Sequence, residues 1–413
     1  VSLPVPTITL YLDLPFTGGD IFTIEDPVYG LIETGGGIAG DLGSADITAS
    51  GYDITIRRGR NSVLDDIDVG TAAVAFRNYD RDWDPLNTAS PYYGRLKPGV
   101  ETHVDIYGQR IWTGYTDDWF NSYTVHGEAV GSFPMIDGLG VLARQAFNAW
   151  TATAAQTAGP RITAVLNRAE VGWPGGARDL DTGVSTLQGD SVTWGSDPFN
   201  YIKLIAQTDQ GYAFVDRTGV FTYRDRRSLI DPTPTLTFTD DGTGIDFHGA
   251  SLTGAGERFY SQVSVDREGG IVQTASDDGV GQASAIRRFS VSGLLMDSDE
   301  QAMSLAEWLL SLYKDPTPRI DSLTVNVSAL ADDPTRAQVS GIDIGDVIHV
   351  TWTPLTTGST IDDDFNVEGV EHSIPYDGPH LMSLYLAPVT QQTVFTIEDD
   401  TLGVIEGPGR IAF

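Results

Sequence analysis

The runs YDITIRRGR (52–60) and TAAVAFRN (71–78) decide how this chain is read. In each, β-branched or apolar residues alternate with polar or small ones, a period of two that puts one set of side chains on one face of a strand. The pattern returns in VETHVDIYG (100–108), QRIWTGYTDDW (109–119) and NSYTVHGEAV (121–130), with Gly, Asn and Asp between the runs. Five such runs predict an antiparallel sheet or small barrel from about residue 45 to near Asp137. Val104, Ile106, Ile111, Trp112 and Tyr115 are its expected core contributors.

Beyond Asp137 the period changes. LGVLARQAFNAW (139–150) and PRITAVLNRAEV (160–171) have helical spacing. SDPFNYIKLIAQTDQG (196–211) adds punctuation: Asp197 as cap, Pro198 in the first turn, Tyr201, Leu204 and Ile205 on one face, Gly211 as stop. YAFVDRTGVFTYRDR (212–226) then reads as a hairpin around Thr218-Gly219. Seven further strand-like runs follow, from TLTFT (235–239) to LMSLYLAP (381–388). One helix interrupts them, DEQAMSLAEWLLSLYKD (299–315), with Ala302, Leu305, Ala306, Leu309 and Leu310 as its apolar stripe and Pro316 at its end.

The expected organisation is therefore an N-terminal arm (1–44), a first β-barrel (45–146), a small α/β domain (147–236), a second β-barrel (237–390) with a helix-containing insert at about 260–318, and a C-terminal arm (391–413). The two arms share a segment. FTIEDPVYGLIETGGGIA (22–39) and FTIEDDTLGVIEGPGRIA (395–412) agree at eleven of eighteen positions, enough to mark a duplicated element. Each resembles a hairpin with one apolar face, and a lone hairpin is marginal in water, so each is expected to dock on something larger. Phe22, Ile24 and Ile32, with Phe395, Ile397 and Ile405, are the expected assembly contacts.

The 413 residues carry 57 acidic and 25 basic side chains, a formal charge of −32. That field repels nucleic acid and anionic lipid, which excludes a broad electrostatic DNA footprint. No cysteine is present, so disulfides, thiolate metal sites and a cysteine nucleophile are excluded. No run reaches the roughly twenty apolar residues of a membrane helix and the first residues lack a signal-peptide pattern, so a soluble, untargeted protein is expected.

Catalytic and metal chemistry find little support. No G-x-S-x-G elbow occurs, and His103, His126, His248, His349, His372 and His380 are scattered, mostly inside strand-like runs. No catalytic residue and no cofactor are expected. His126 and Glu128 could share a strand face, but two ligands do not define a zinc site. Asp80, Asp82 and Asp84, Asp240, Asp241 and Asp246, and Asp362 to Asp364 lack the spacing of a calcium loop and read as solvated turns. Trp112, Trp119, Trp150, Trp173 and Trp194 keep a glycan-stacking module open as an alternative.

Several strings carry a resemblance to a known family. ITIRRGRNSVLDDIDVGTAAVAFRNYDRDWDPLNTASPYYGRLKPGVETHVDIYG (54–108) and IWTGYTDDW (111–119) resemble the opening domain of minor tail proteins from long-tailed actinobacteriophages. FTIEDPVYGLIE (22–33), QGYAFVDRTGVFTYRDR (210–226), IGDVIHVTWTP (344–354) and DFNVEGVEHSIPYDGPHLMSLYLAP (364–388) extend it. The resemblance implies a tail hub similar in plan to the baseplate hubs of contractile phages: mainly β, with an α/β insert and two tube-like antiparallel β-barrels per chain. It further implies a homotrimer whose six barrels match a six-fold tail tube to a three-fold tip at the distal end of the virion tail. The implied partners are distal tail or tail tube ring proteins, a tape measure protein and downstream tip or fibre proteins, with genomic DNA passing through unbound. A host cell-wall adhesin and a six-copy distal tail ring are the alternatives. Because the chain ends soon after the second barrel, no lytic extension and no peptidoglycan cleavage are expected.

Overall fold

A computed structural model describes residues 8–12, 43–46, 52–61, 65–173, 177–229, 233–253, 259–277, 286–314, 319–354 and 359–389. Within them, β hydrogen bonding dominates. The first lobe contains β1 (Ile8–Leu12), β2 (Gly43–Asp46), β3 (Tyr52–Gly59), β4 (Asp68–Arg77), β5 (Glu101–Ile106), β6 (Gln109–Thr116), β7 (Phe120–Tyr123) and β8 (Ala129–Ile136). The alternation read from sequence is its packing rule: Ile54, Ile56, Val74, Phe76, Val104, Ile106, Ile111, Trp112 and Phe133 all point into one core. Tyr115 is only half-buried. Two strands come from the stretch read as an arm. The alternating ITLYL of β1 pairs antiparallel with β5 and carries β2 on its other side.

A middle domain follows, with α1 (Gly138–Ala143), β9 (Trp150–Ala152), α2 (Ala158–Leu166), β10 (Arg178–Leu180), β11 (Asp190–Val192), α3 (Pro198–Asp209), β12 (Tyr212–Val215) and β13 (Phe221–Arg224). The helical spacing over 139–150 is realised only as far as Ala143. Phe147 then turns into the core, with its ring edge-on to Tyr201 at 6.0 Å, so burial overrides the local period. In α3, Asp197 accepts from the Asn200 N–H at 2.7 Å and Pro198 opens the helix, as expected. The stop is one residue earlier than expected: Gln210, not Gly211, takes the left-handed conformation, at φ 54°.

The second lobe is built from β14 (Leu236–Thr239) and β15 (Gly249–Thr253), then, after an insert, from β19 (Arg319–Asn326), α5 (Asp333–Ser340), β20 (Val347–Trp352), β21 (Ile361–Ile374) and β22 (Leu381–Pro388). Phe238, Leu323, Val325, Ile348, Val350, Phe365, Met382, Leu384 and Leu386 fill its core. The insert packs β16 (Gln262–Arg267), β17 (Gln273–Ser276) and β18 (Arg288–Leu294) against α4 (Asp299–Tyr313). All five residues of the predicted α4 stripe are buried.

The two lobes are joined through backbone pairing. Their strands form one fourteen-stranded sheet, joined where β21 pairs with β3. Residues Ile361–Asn366 of β21 face β20, whereas Gly369–Ile374 face β3, and β22 runs along the opposite edge. Register shifts at Val367/Gly369 and Arg57/Gly59 mark the change of partner. Both strands carry glycine at this crossing. A Cβ on Gly59 would stand 2.3 Å from the Glu368 carbonyl oxygen, and one on Gly369 would stand 2.5 Å from the Arg60 carbonyl oxygen. Gly59 also sits at φ +86°, a conformation that side chains rarely adopt.

Gly59→Ala is therefore expected to destabilise the protein by about 3 kcal/mol, combining backbone strain with a clash that has no flexible partner. Gly94→Ala, at φ +79° in open space, should cost only about 1 kcal/mol. Denaturant unfolding of the two variants checks the difference, and equal costs would remove the crossing as a steric constraint.

Candidate functional site at the junction of the two lobes

The crossing of β3 and β21 brings buried charges of opposite sign together. Ile54, Ile56 and Arg58 share one phase of β3, so the strand that feeds a core with isoleucine ends by feeding it a guanidinium. Arg58 Nη1 lies 2.6 Å from Asp343 Oδ1, and the other oxygen of Asp343 accepts from the Arg217 backbone N–H at 2.7 Å. Two residues on, Arg60 Nε meets Glu368 Oε2 at 2.6 Å. Glu368 is fully buried, and its Oε1 accepts from the Tyr212 hydroxyl at 2.9 Å and the Asn366 amide at 2.7 Å. The Arg60 guanidinium also lies over the Tyr212 ring, 4.6 Å from its centroid. Burial, then the Glu368 carboxylate, hold the Tyr212 phenol well above its ordinary pKa, so it remains a donor. First lobe, middle domain and second lobe thus converge on one carboxylate.

Beside this network opens a cavity of about 850 Å³, bounded by β3, the Asp65–Val69 segment, α3, β18, α4 and the end of β22. Its walls combine Arg57, Arg60, Lys203 and Arg226 with Asp65, Asp66, Asp68 and Glu368 and with the rings and aliphatic chains of the insert. Lys203 pairs with Asp66 at 3.1 Å, and Asp66 also accepts from Gln207 at 2.5 Å. None of these residues was singled out from sequence. The available signal was an arginine on the apolar phase of β3 and a glutamate inside the otherwise apolar run of β21.

The expected assembly residues Phe22, Ile24, Ile32, Phe395, Ile397 and Ile405 lie outside the described residues. Other exposed apolar positions are found instead. Phe120, Val125 and Val130 stand out around the β7–β8 turn, and Leu252 stands out on β15. Both β7 and β15 have one strand partner among the described residues, so the second edge of each is unpaired by any described strand.

The histidines are distributed as structural groups. His372 Nδ1 and His380 Nε2 lie 3.0 Å apart in the second lobe, both buried, with His380 stacked on Tyr107. His349 bridges Asp364 at 2.7 Å and Asp362 at 3.0 Å, and its hydrogen bond to Asp364 raises its pKa. His126 and Glu128 are in the exposed turn after β7, not on a strand face as expected, because the four-residue β7 stops at Tyr123. Asp84 accepts from Arg81 at 2.6 Å and from the Tyr123 hydroxyl at 2.9 Å, and Asp241 caps its own turn through Thr243. Among the described residues no group of three His, Asp or Glu is placed to hold a metal ion, and no helix is long and apolar enough to cross a membrane. Of the five tryptophans considered for stacking, Trp112 and Trp119 are core, Trp150 and Trp173 are half-buried, and Trp194 is 78% exposed.

Two outcomes are expected. Glu368→Gln leaves Arg60 buried without its counter-charge and should cost about 3 kcal/mol or more in unfolding free energy; a change below about 1 kcal/mol would show the pair to be dispensable. The histidine pair gives a pH signature. Burial, then His380 and Arg58, hold His372 well below its ordinary value, and burial pushes His380 down to about 3. Above pH 6.5 both rings are neutral in either state. As pH falls from 6.5 towards 3 the unfolded chain takes up protons that the folded pair refuses, so stability is lost at up to about 1.4 kcal/mol per pH unit per histidine. Asp137, pushed up to about 7 by burial, contributes the opposite slope to wild type and variant alike. Unfolding midpoints between pH 7 and 4 should therefore fall less steeply for His380→Gln than for wild type, and parallel curves would contradict the assignment.

No protein-family model matches the sequence, and no curated protein matches it. Solved structures match by fold. The 43 kDa tail protein of prophage MuSo2 from Shewanella oneidensis aligns with a TM-score of 0.55 at 15% identity, covering 92% of this chain and 96% of that one. A tail protein from Neisseria meningitidis MC58 aligns at 0.58 and 12% identity, covering 93% and 96%. A chain of the Francisella PdpA-VgrG complex, lidded, aligns at 0.50 and 9% identity, covering 94% of this chain and 53% of its own length. At such identities the likeness is one of fold, mainly β, and with the two tail proteins it runs nearly end to end.

Proposed function

We propose that this chain is a structural hub of a phage tail tip, similar to the minor tail proteins of long-tailed actinobacteriophages, and that it acts without catalysis. Three copies form a ring in which six β lobes meet the six-fold tail tube on one side and a three-fold tip on the other. The observation that carries this reading is the presence of two β lobes in one chain, welded into a single sheet through β21 and β3. A ring built this way gets its pairwise geometry from the protomer, which favours three two-lobed copies over six one-lobed ones. Edges that no described strand pairs, one on each lobe, support a head-to-tail contact, since a heterologous interface generates a closed ring when its rotation closes.

The charge supports the same reading. A channel that DNA traverses should not hold phosphate, and a net charge of −32 repels it within a Debye length of about 10 Å. In this role the chain sits at the distal end of the virion tail, between the distal tail or tube ring proteins with the tape measure protein and the downstream tip or fibre proteins.

Light scattering on the purified chain is expected to give three times the 44.5 kDa protomer mass. Leu252→Lys, which puts a charge on the β15 edge, should weaken association at least tenfold while leaving the thermal transition of the protomer in place. A stable monomer at high micromolar concentration, or a six-copy mass, would overturn the proposal.

A further inference from the structure

The junction cavity is lined by four cations, one of which makes no direct ion pair among the described residues. Arg57 pairs with Glu371 at 3.6 Å, Arg60 with Glu368 and Lys203 with Asp66. Arg226 lines the same space, with its guanidinium 5.8 Å from the centroid of the Trp308 ring; it makes no direct ion pair among the described residues and feels Asp209 and Asp225 only at longer range. Desolvation lowers its pKa, the mark of a charge withdrawn from water. The facing wall is apolar: Phe289 and Val291 from β18 and Trp308 and Leu312 from α4 are half-buried and border the cavity. At about 850 Å³ the space lies within the range of about 300–1,000 Å³ typical of ligand pockets, enough for a few side chains of an inserted segment.

The occupant that fits is apolar and close by, with acidic residues that can meet Arg226. Pro388 and Val389 themselves border the cavity. Shortly after comes FTIEDDTLGVIE (395–406), in which Phe395, Ile397, Leu402, Val404 and Ile405 accompany Glu398, Asp399, Asp400 and Glu406, with no basic residue before Arg410. Phe395 lies six residues beyond Val389, at most about 21 Å of extended chain, so it stays within reach of the cavity.

We propose that the junction cavity is the dock of the chain's own C-terminal segment 395–406, with Phe395 and Ile397 against the Phe289–Trp308–Leu312 wall and the acidic run facing Arg226. The assignment deepens the reading of the duplicated arms and is independent of ring stoichiometry. It makes the last strand of the second lobe the hinge from which the arm folds back over the insert.

Because the chain has no cysteine, two introduced thiols report a single contact. In the full chain, Leu312→Cys with Ile397→Cys, and separately Val291→Cys with Ile397→Cys, are oxidised in dilute solution and the linked peptides identified by mass spectrometry. An intrachain disulfide is expected from at least one pair, formed at least tenfold faster than with Ile24→Cys in place of Ile397→Cys, and slowed several-fold by Arg226→Glu. Disulfide-linked dimers would assign the dock to a neighbouring chain and overturn the proposal. So would equal rates from the Ile24→Cys pairing, insensitivity to Arg226→Glu, or no product from either pair in protein whose unfolding midpoint matches wild type.

Discussion

A strand buried between two others must find a partner for every backbone N–H and C=O along its length, and β21 has to do so while its neighbour changes. Over Ile361–Asn366 it bonds to β20, and over Gly369–Ile374 to β3 of the other lobe. In between, the Val367 carbonyl accepts from Gly345, the Val367 N–H donates to Asp346, and the Glu368 carbonyl accepts from Arg60. These three bonds carry the ladder across the handover, and the two lobes are consequently fixed by the same kind of ladder that holds each together. The fourteen residues of β21, against a usual strand of about five or six, are the length needed to serve both.

Buried charge at this crossing serves geometry more than stability. Desolvating Arg60 and Glu368 costs several kcal/mol, which their mutual attraction offsets only with good geometry and further hydrogen bonds. Tyr212 and Asn366 supply those bonds from the middle domain and from β21 itself. A greasy replacement could pack here, but it would accept many orientations of the three bodies. A carboxylate with three specified donors accepts few. The cavity beside it is the space left when lobes, middle domain and insert are held at those angles rather than collapsed together.

Much of the chain was legible residue by residue. The alternation in YDITIRRGR and LMSLYLAP corresponds to inward Ile54 and Ile56 and inward Met382, Leu384 and Leu386, and the α4 stripe is buried as its spacing requires. Local reading failed where distant packing prevailed. The helix expected over 139–150 breaks so that Phe147 can reach Tyr201, and β1 joins β5 from across ninety residues of sequence. The candidate site was the least legible, because Arg58, Arg60, Tyr212, Asp343 and Glu368 come from segments whose spacing in sequence carries no trace of their meeting.

The sequence by itself determined the element types, the acidic charge, the absence of thiol chemistry and the repetition of one apolar and acidic segment at both ends, since all of these depend on local periodicity or on counting. Tertiary structure alone decided that the two β regions share a sheet, that a glycine faces a glycine where they cross, and that Arg226 stands beside an open cavity with no direct ion pair among the described residues. Each of those depends on which backbone edges and which charges come within a few ångströms of one another. That is a property of long-range pairing, which a period of two or of 3.6 residues does not encode.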